Sequence, residues 1–292
     1  MMRSLGRNTV YFLCSLPALL LHTLLFAFPL VLGVYFSLTN WDGISRSYKL
    51  VGLSNYINIL QDSRFLLSLR TTLFYTVLLV VFTMALSLLF ALALNMKVKW
   101  NTFFRGVYFY PSVLSMLTVG LIFRQIFYHV VPAIGDVTNI PWLQGNLLGN
   151  PKTALYAVLF VHIWQGLGIP LALFLAGLQT IPDELLEAAK IDGAGPLQRF
   201  RTITLPFLVP VSVVVFILTF RNGLIVFDVV RAMTDGGPGR TTEVIGLLIY
   251  QHGFYQRRFA YATAEAVVLF FVLAIVSFIV FKTMGKRGVE QL

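Results

Sequence analysis

The chain has 292 residues, 58% of them hydrophobic and only 12% charged, with a mean hydropathy of +0.81 and a formal net charge of +10. Soluble domains carry about 25% charged residues, so too little polar surface is present to coat a water-soluble globule, and the sequence reads as an integral membrane protein. The positive charge does not indicate nucleic acid, because the basic residues stand singly or in pairs between apolar runs, as on the flanks of membrane helices.

A helix needs about 20 mostly apolar residues to cross the hydrocarbon core. Six stretches meet or approach that length, at about 10–37, 71–94, 107–127, 154–178, 205–227 and 261–281. They are continuously apolar and lack the alternation of membrane strands, which predicts helices rather than a barrel. The fold expected is all-α, with six transmembrane helices in one membrane domain over residues 1–292. The first run follows Arg3 and Arg7, but it exceeds the roughly 7–15 apolar residues of a signal peptide and no A-x-A site follows. It is kept as a span, with Pro17 and Pro29 as expected kinks. Cys14 lies in this run as a small packing residue.

The next segment, 39–69, contains TNWDG and VGLSNY, turn chemistry with Trp41 and Tyr56 suited to a membrane interface. Residues 128–153 hold Pro132, Gly135, Pro141, Gly145, Gly149 and Pro151 and are expected to form an irregular loop. A third loop, TDGGPGRTTEVIGLLIYQHGFY, has a Gly-Gly-Pro-Gly turn and then a short helix for which Thr242 is the expected cap. With the N-terminus inside, the cytoplasmic segments hold Arg3, Arg7, Lys97, Lys99, Arg105, Lys190, Arg199, Arg201, Lys282, Lys286 and Arg287. The opposite side holds Arg46, Lys49, Arg64, Arg70, Lys152, Arg231, Arg240, Arg257 and Arg258, spread over longer segments. The denser cytoplasmic set favours both termini inside.

Between the fourth and fifth runs stands EAAKIDGAGPLQRFRTITLP, residues 187–206. It reads as a short helix, a Gly-Ala-Gly-Pro turn and a second short helix. Ala188 and Ala189 allow close approach by another chain, Gly193 and Gly195 permit a sharp turn, and Pro196 starts the following helix. Glu187 and Asp192 offer acceptors to a partner. The plainer alternative is an amphipathic loop helix lying on lipid, for which Gly-Ala-Gly-Pro is poor material.

Within the spans, polar residues mark candidate function. They are Tyr110-Pro111-Ser112 and Ser115 in the third run, His162, Trp164 and Gln165 before Gly166 in the fourth, and Arg221-Asn222-Gly223 in the fifth. Gln165 and Asn222 offer amides and Trp164 an aromatic platform, groups that can line a ligand site. Interhelical hydrogen bonding, worth roughly 0.6–2 kcal/mol per contact, is the competing reading for each. Glu265 is a charge near the start of the sixth run, and pairing with Arg221 or with another chain is expected for it. His22, His129 and His252 look like isolated polar positions, and nothing has the spacing of a metal site or catalytic triad.

Glu187-Ala188-Ala189, three residues, Gly193, nine residues, then Ile203-x-Leu205-Pro206 resembles the EAA signature of ABC-importer permeases. VGLSNYINIL, TDGGPGRTT and RFAYATAEA extend the likeness over most of the chain, toward the MalF/UgpA-like half of carbohydrate importers. The resemblance implies that Glu187, Ala188, Ala189, Asp192, Gly193, Ala194 and Gly195 belong to a cytoplasmic coupling helix, within a loop at 180–204, that docks into an ATPase. It places sugar contacts near Ser112, Met116, His162, Gln165, Gly166, Asn222 and Gly223, and it implies transport of an oligosaccharide or glycerol-phosphate-like compound. The partners implied are a second homologous permease, two copies of a cytoplasmic ATPase, an external solute-binding protein and the lipid of the cell (inner) membrane. No cofactor is expected on this chain. It has no phosphate-binding G-x-x-x-x-G-K-[ST] loop, so ATP and Mg would reside on the ATPase and the chain itself would not be an enzyme. An ion-coupled secondary carrier would show repeats and broken midplane helices, and a structural subunit would leave the EAA segment without a role. A permease for amino acids or metals fits VGLSNY and TDGGPG less well.

Overall fold

A computed structural model describes residues 7–95 and 101–289, without the side chains of 7–10, 101, 102, 104, 105 and 283–289. Of the basic residues used for orientation, Arg3, Lys97 and Lys99, and the side chains of Arg7, Arg105, Lys286 and Arg287, therefore lie outside the described residues. Five helices among those described are long and apolar enough to cross a membrane. They are α1 (Tyr11–Ser37), α3 (Ser63–Asn95), α5 (Met116–Thr138), α9 (Pro196–Leu224) and the Phe259–Lys282 part of α12. A sixth span forms if α6 (Ala154–Gly166) and α7 (Gly168–Leu178), which meet at 47°, count as one. Shorter helices are α2 (Ser54–Gln61), α4 (Asn101–Val113), α8 (Asp183–Ile191), α10 (Asp228–Met233) and α11 (Ile245–Tyr250), and α12 runs in full from Phe259 to Val289.

The third apolar run was placed at 107–127, but the helix breaks within it. Pro111 has no N–H to give to the ladder, α4 stops at Val113, and Ser115 is extended (φ −61°, ψ 127°) before α5 begins. The span thus lies further along the chain than apolarity alone suggested. It takes in the first part of the 128–153 segment, because Pro132 sits at a first-turn position where its missing donor does no harm. The fifth span also starts earlier than 205. From Pro196 the chain is helical throughout, passing through a wide turn in which the Leu205 N–H reaches the Phe200 carbonyl five residues back.

The chain divides into two compact units, Met1–Asp62 with Ile249–Phe270, and Ser63–Leu248 with Phe271–Leu292. In the first, α1 has no buried side chain until Ser37. The chain leaving α1 is held by α2: the Ser37 hydroxyl lies 2.6 Å from Tyr56 Oη, and Asn55 Nδ2 donates to the carbonyls of Ser37 and Thr39 at 2.8 and 2.7 Å. Trp41 stacks on Phe36 with ring centroids 4.5 Å apart. Beyond it the Asp42 carboxylate accepts from the Ser45 hydroxyl and from the Ser45 and Ile44 N–H groups, which hold its pKa at about 2.

In the second unit α3 is the central helix. Tyr75 and Leu79 pack into one core with Val119, Val158 and Val161, while Ala91 and Leu94 pack into another with Phe174, Leu208 and Val215. Lipid is as apolar as these side chains, so close helix approach rather than water exclusion favours the packing. Small residues provide it. A Cβ on Gly223 would stand 2.9 Å from Thr76 Cγ2, one on Gly177 2.8 Å from Val211 Cγ2, and one on Gly120 2.7 Å from Ala232 Cβ.

Candidate translocation cavity and coupling segment

The break between α6 and α7 shapes the polar cavity of the larger unit. At Gly168 the chain passes so close to α4 that a Cβ would meet Ser112 Oγ at 2.5 Å and the Tyr108 carbonyl at 3.0 Å. Ser112 Oγ donates to the Gln165 carbonyl (2.8 Å) and accepts from the Gly168 N–H (3.1 Å), satisfying the groups that the bend frees. Gln165 Nε2 reaches back to the Leu114 carbonyl at 3.0 Å, so each interrupted helix braces the other.

Ser112, His162, Gln165, Gly166 and Asn222 come together on a cavity of about 280 Å³ that Thr83, Thr219 and Arg221 also line. His162 is buried and its Nδ1 lies 2.9 Å from Tyr75 Oη. Gly166 faces space, since a Cβ there would meet only His162 Cδ2 at 4.0 Å. Three expected site residues are elsewhere. Trp164 lines a separate apolar hollow with Phe82, Phe90 and Tyr108, so it provides no platform for a ligand in the polar cavity. Met116 packs on the Tyr75 core, and Gly223 is taken up by its contact with Thr76. Residue type at each position was legible; which face of its helix it occupied was not. Thr83, Thr219 and Arg221 line the same cavity, the two threonines hidden from sequence reading among many in the spans.

Glu265 was expected to pair with Arg221 or with another chain. The Glu265 partner is instead His252, whose Nδ1 lies 2.9 Å from Oε1, both side chains being buried. His252 is therefore not an isolated polar position.

The EAA segment is presented outward. α8 has Asp183 and Glu184 in its first turn and Lys190 in its last, each complementing the helix dipole. It ends in a glycine turn: Gly193 has φ +78°, and the Ala194 N–H reaches the Ala189 carbonyl five residues back at 2.9 Å. None of α8 is buried. Glu187, Ala188, Asp192, Gly193 and Gly195 are exposed, Ala189 and Ala194 half-exposed, and the apolar Ile191 and Leu197 stand 86% and 62% exposed.

The Gly-Gly-Pro-Gly segment is the reverse. Asp235, Gly236, Gly239 and Arg240 all have positive φ, and the loop closes on itself through Thr242, whose hydroxyl donates to the Gly237 carbonyl (2.7 Å) and meets Thr234 Oγ1 (2.8 Å). Arg231 pairs with Asp235. Glu243, only 4% exposed, receives Arg64 Nε at 2.9 Å and Nη2 at 2.6 Å. Thr242 was expected to cap α11, but its hydroxyl is spent within the loop. The first donor of α11, the Ile245 N–H, goes to Thr72 Oγ1 of α3 at 2.9 Å.

The sequence profile of the family described as "Binding-protein-dependent transport system inner membrane component" matches residues 2–287, nearly the whole length. The chain belongs to that family. Among its relatives, the "Multiple sugar-binding transport system permease protein MsmF" of Streptococcus mutans is 42% identical over 268 residues, 92% of each chain. The "Probable starch degradation products transport system permease protein AmyD" of Thermoanaerobacterium thermosulfurigenes is 33% identical over 96% of each. The fold matches a chain in the crystal structure of a bacterial ABC transporter for the acidic polysaccharide alginate, with a TM-score of 0.80 and 96% of each chain covered at 20% identity. As a membrane component of a binding-protein-dependent transport system the chain is a permease subunit, which decides against the ion-coupled carrier and the purely structural subunit.

Proposed function

We propose that this permease is one of two membrane halves of an ATP-driven importer for an oligosaccharide or related sugar compound, and that α8 and the Gly193 turn are its coupling helix. The observation that carries the reading is the outward face of the EAA segment: a helix with nothing buried, closed by a glycine turn and edged by exposed Ile191 and Leu197. Apolar residues this exposed beside charged ones suit a protein cleft better than water. In this reading ATP and Mg sit on two copies of a separate cytoplasmic ATPase, and a second permease completes the pathway. A solute-binding protein delivers cargo on the opposite side, and both termini lie in the cytoplasm. The polar cavity at Gln165, His162 and Asn222 is this chain's share of the pathway. The sugar class is supported by the names of the relatives, with amides and hydroxyls in the cavity as the matching chemistry.

The test is co-purification of the tagged permease from mild detergent, followed by ATPase assay. Wild type should bring an ATPase with it, and Glu187→Arg combined with Leu197→Asp should lose it while remaining in the membrane at wild-type level. An ATPase retained in full by the double variant would refute the docking role of this segment.

A further inference from the structure

The apolar hollow that takes in Trp164 has a volume of about 470 Å³ and is walled by Phe82 and Phe90 of α3, Tyr108 of α4, and Tyr156, Phe160 and Trp164 of α6. At one end Tyr108 stacks on Phe90 with ring centroids 4.9 Å apart, and at the other Tyr156 meets Phe74 edge-on at 6.5 Å. Phe82 and Phe160 are 47% and 57% exposed, so the hollow opens sideways from the spans. From Tyr156 to Leu167 its wall rises about 16 Å along the helix, close to one leaflet of a hydrocarbon core about 30 Å thick.

The wall and its rim both point to the occupant. Membrane helices approach one another through small residues, as Gly120, Gly177 and Gly223 allow elsewhere in this unit. Among the described residues no Gly, Ala, Ser or Thr lines this hollow. Its rings keep a second helix at a distance, whereas a flexible hydrocarbon chain lies between them. Two cations stand at the Phe74–Tyr156 end. Arg70 precedes Phe74 by one turn of α3, and Lys152 precedes Tyr156 by the same interval, through the turn in which the Ala154 N–H reaches the Asn150 carbonyl. The ring contact sets these two turns side by side. Both side chains are exposed, and among the described residues neither makes an ion pair. Long basic side chains at membrane helix ends extend to headgroup depth, and on α3 the lean of side chains toward the N-terminus adds to that reach.

We propose that this face is a phospholipid site, in which Arg70 and Lys152 bind the phosphate of an anionic headgroup and one acyl chain lies in the hollow against Trp164. The proposal needs only that α3 and α6 cross the bilayer, and it is independent of what the permease carries. A guanidinium fork and an ammonium together suit a phosphate. A lipid with net negative charge is favoured over a zwitterion, whose own cation competes for the same phosphate and is repelled by the two side chains. Bound there, the lipid ties the neighbouring turns of α3 and α6 together and fills a space that no side chain of this unit occupies.

The experiment uses the assembled complex in phosphatidylcholine nanodiscs doped with a small, fixed fraction of lipid brominated on its acyl chains, either phosphatidylglycerol or phosphatidylcholine. Bromine quenches indole fluorescence on contact, and the Trp164 signal is the difference between wild type and Trp164→Phe in each disc. Brominated phosphatidylglycerol should quench it on the order of fivefold more than brominated phosphatidylcholine, and less so in high salt. Arg70→Gln with Lys152→Gln should make the two lipids equal, while Arg70→Lys with Lys152→Arg should keep the preference, the complex staying intact on size-exclusion in both. Equal quenching of wild type by the two lipids, a preference that survives the glutamine pair, or one lost in the charge-keeping exchange overturns the proposal. Quenching of Trp164 by neither lipid also overturns it, since a protein partner then covers the hollow.

Discussion

The two polar segments of the larger unit are built on opposite plans. Residues 228–248 satisfy themselves: Thr242 closes the loop, Arg64 neutralises Glu243, and Thr72 completes the start of α11. Residues 183–197 leave their surface unspent, with no buried side chain in α8 and with Leu185, Ile191 and Leu197 exposed. A segment finished within its own chain arrives at any partner already shaped, so little ordering is lost on contact. One that keeps apolar side chains outward depends on the partner to complete it.

That contrast can be broken, and the largest effect is expected at the ion pair. Glu243→Ala leaves Arg64 beside an empty, buried position. It should destabilise the permease by about 2–3 kcal/mol, a buried-pair loss reduced by the partial exposure of Arg64, read as a lower midpoint in thermal unfolding of the detergent-solubilised complex. The double variant Arg64→Met, Glu243→Met should recover most of it, and no recovery would mean that geometry rather than charge matters there. Thr242→Val keeps the shape and removes the hydroxyl that serves Gly237 and Thr234, for an expected loss of about 1–2 kcal/mol in the same assay. At Gly193, φ +78° makes Gly193→Ala unfavourable by about 1 kcal/mol, and the change should weaken ATPase retention more than it lowers the melting point. Smallest in stability is Leu197→Ser, expected within about 0.5 kcal/mol of wild type yet clearly reduced in substrate-stimulated ATP hydrolysis. A Leu197→Ser variant that melts early but hydrolyses normally would erase the distinction between the two segments.

Membrane class, span number and the EAA segment were legible because they depend on long apolar runs and local turn chemistry. Gly193 shows this, since a glycine after an Ala-rich helix announces its own left-handed turn. Apolarity could not show where a span stops when a proline and a serine interrupt it, so α5 was displaced from 107–127 to Met116–Thr138. Helix facing was equally hidden. Trp164 and Gln165 are neighbours in sequence but about 100° apart around a helix, which sends one to an apolar hollow and the other to the polar cavity. The partners of Glu265 and Thr242 were misjudged for a related reason. Each is settled by a group brought near in three dimensions, His252 for Glu265 and the carbonyl of Gly237 for Thr242, where sequence reasoning weighed only charge and position.

The bend between α6 and α7 bears on how a transporter of this construction moves. A helix interrupted by two glycines invites the idea of a hinge. Here the backbone groups at the bend are claimed by Ser112, the Gln165 side-chain amide donates to the Leu114 carbonyl, and Gly168 is wedged against the backbone of α4. Flexing at this point would break three hydrogen bonds at once. Any movement at this bend would therefore have to carry α4 together with α6 and α7.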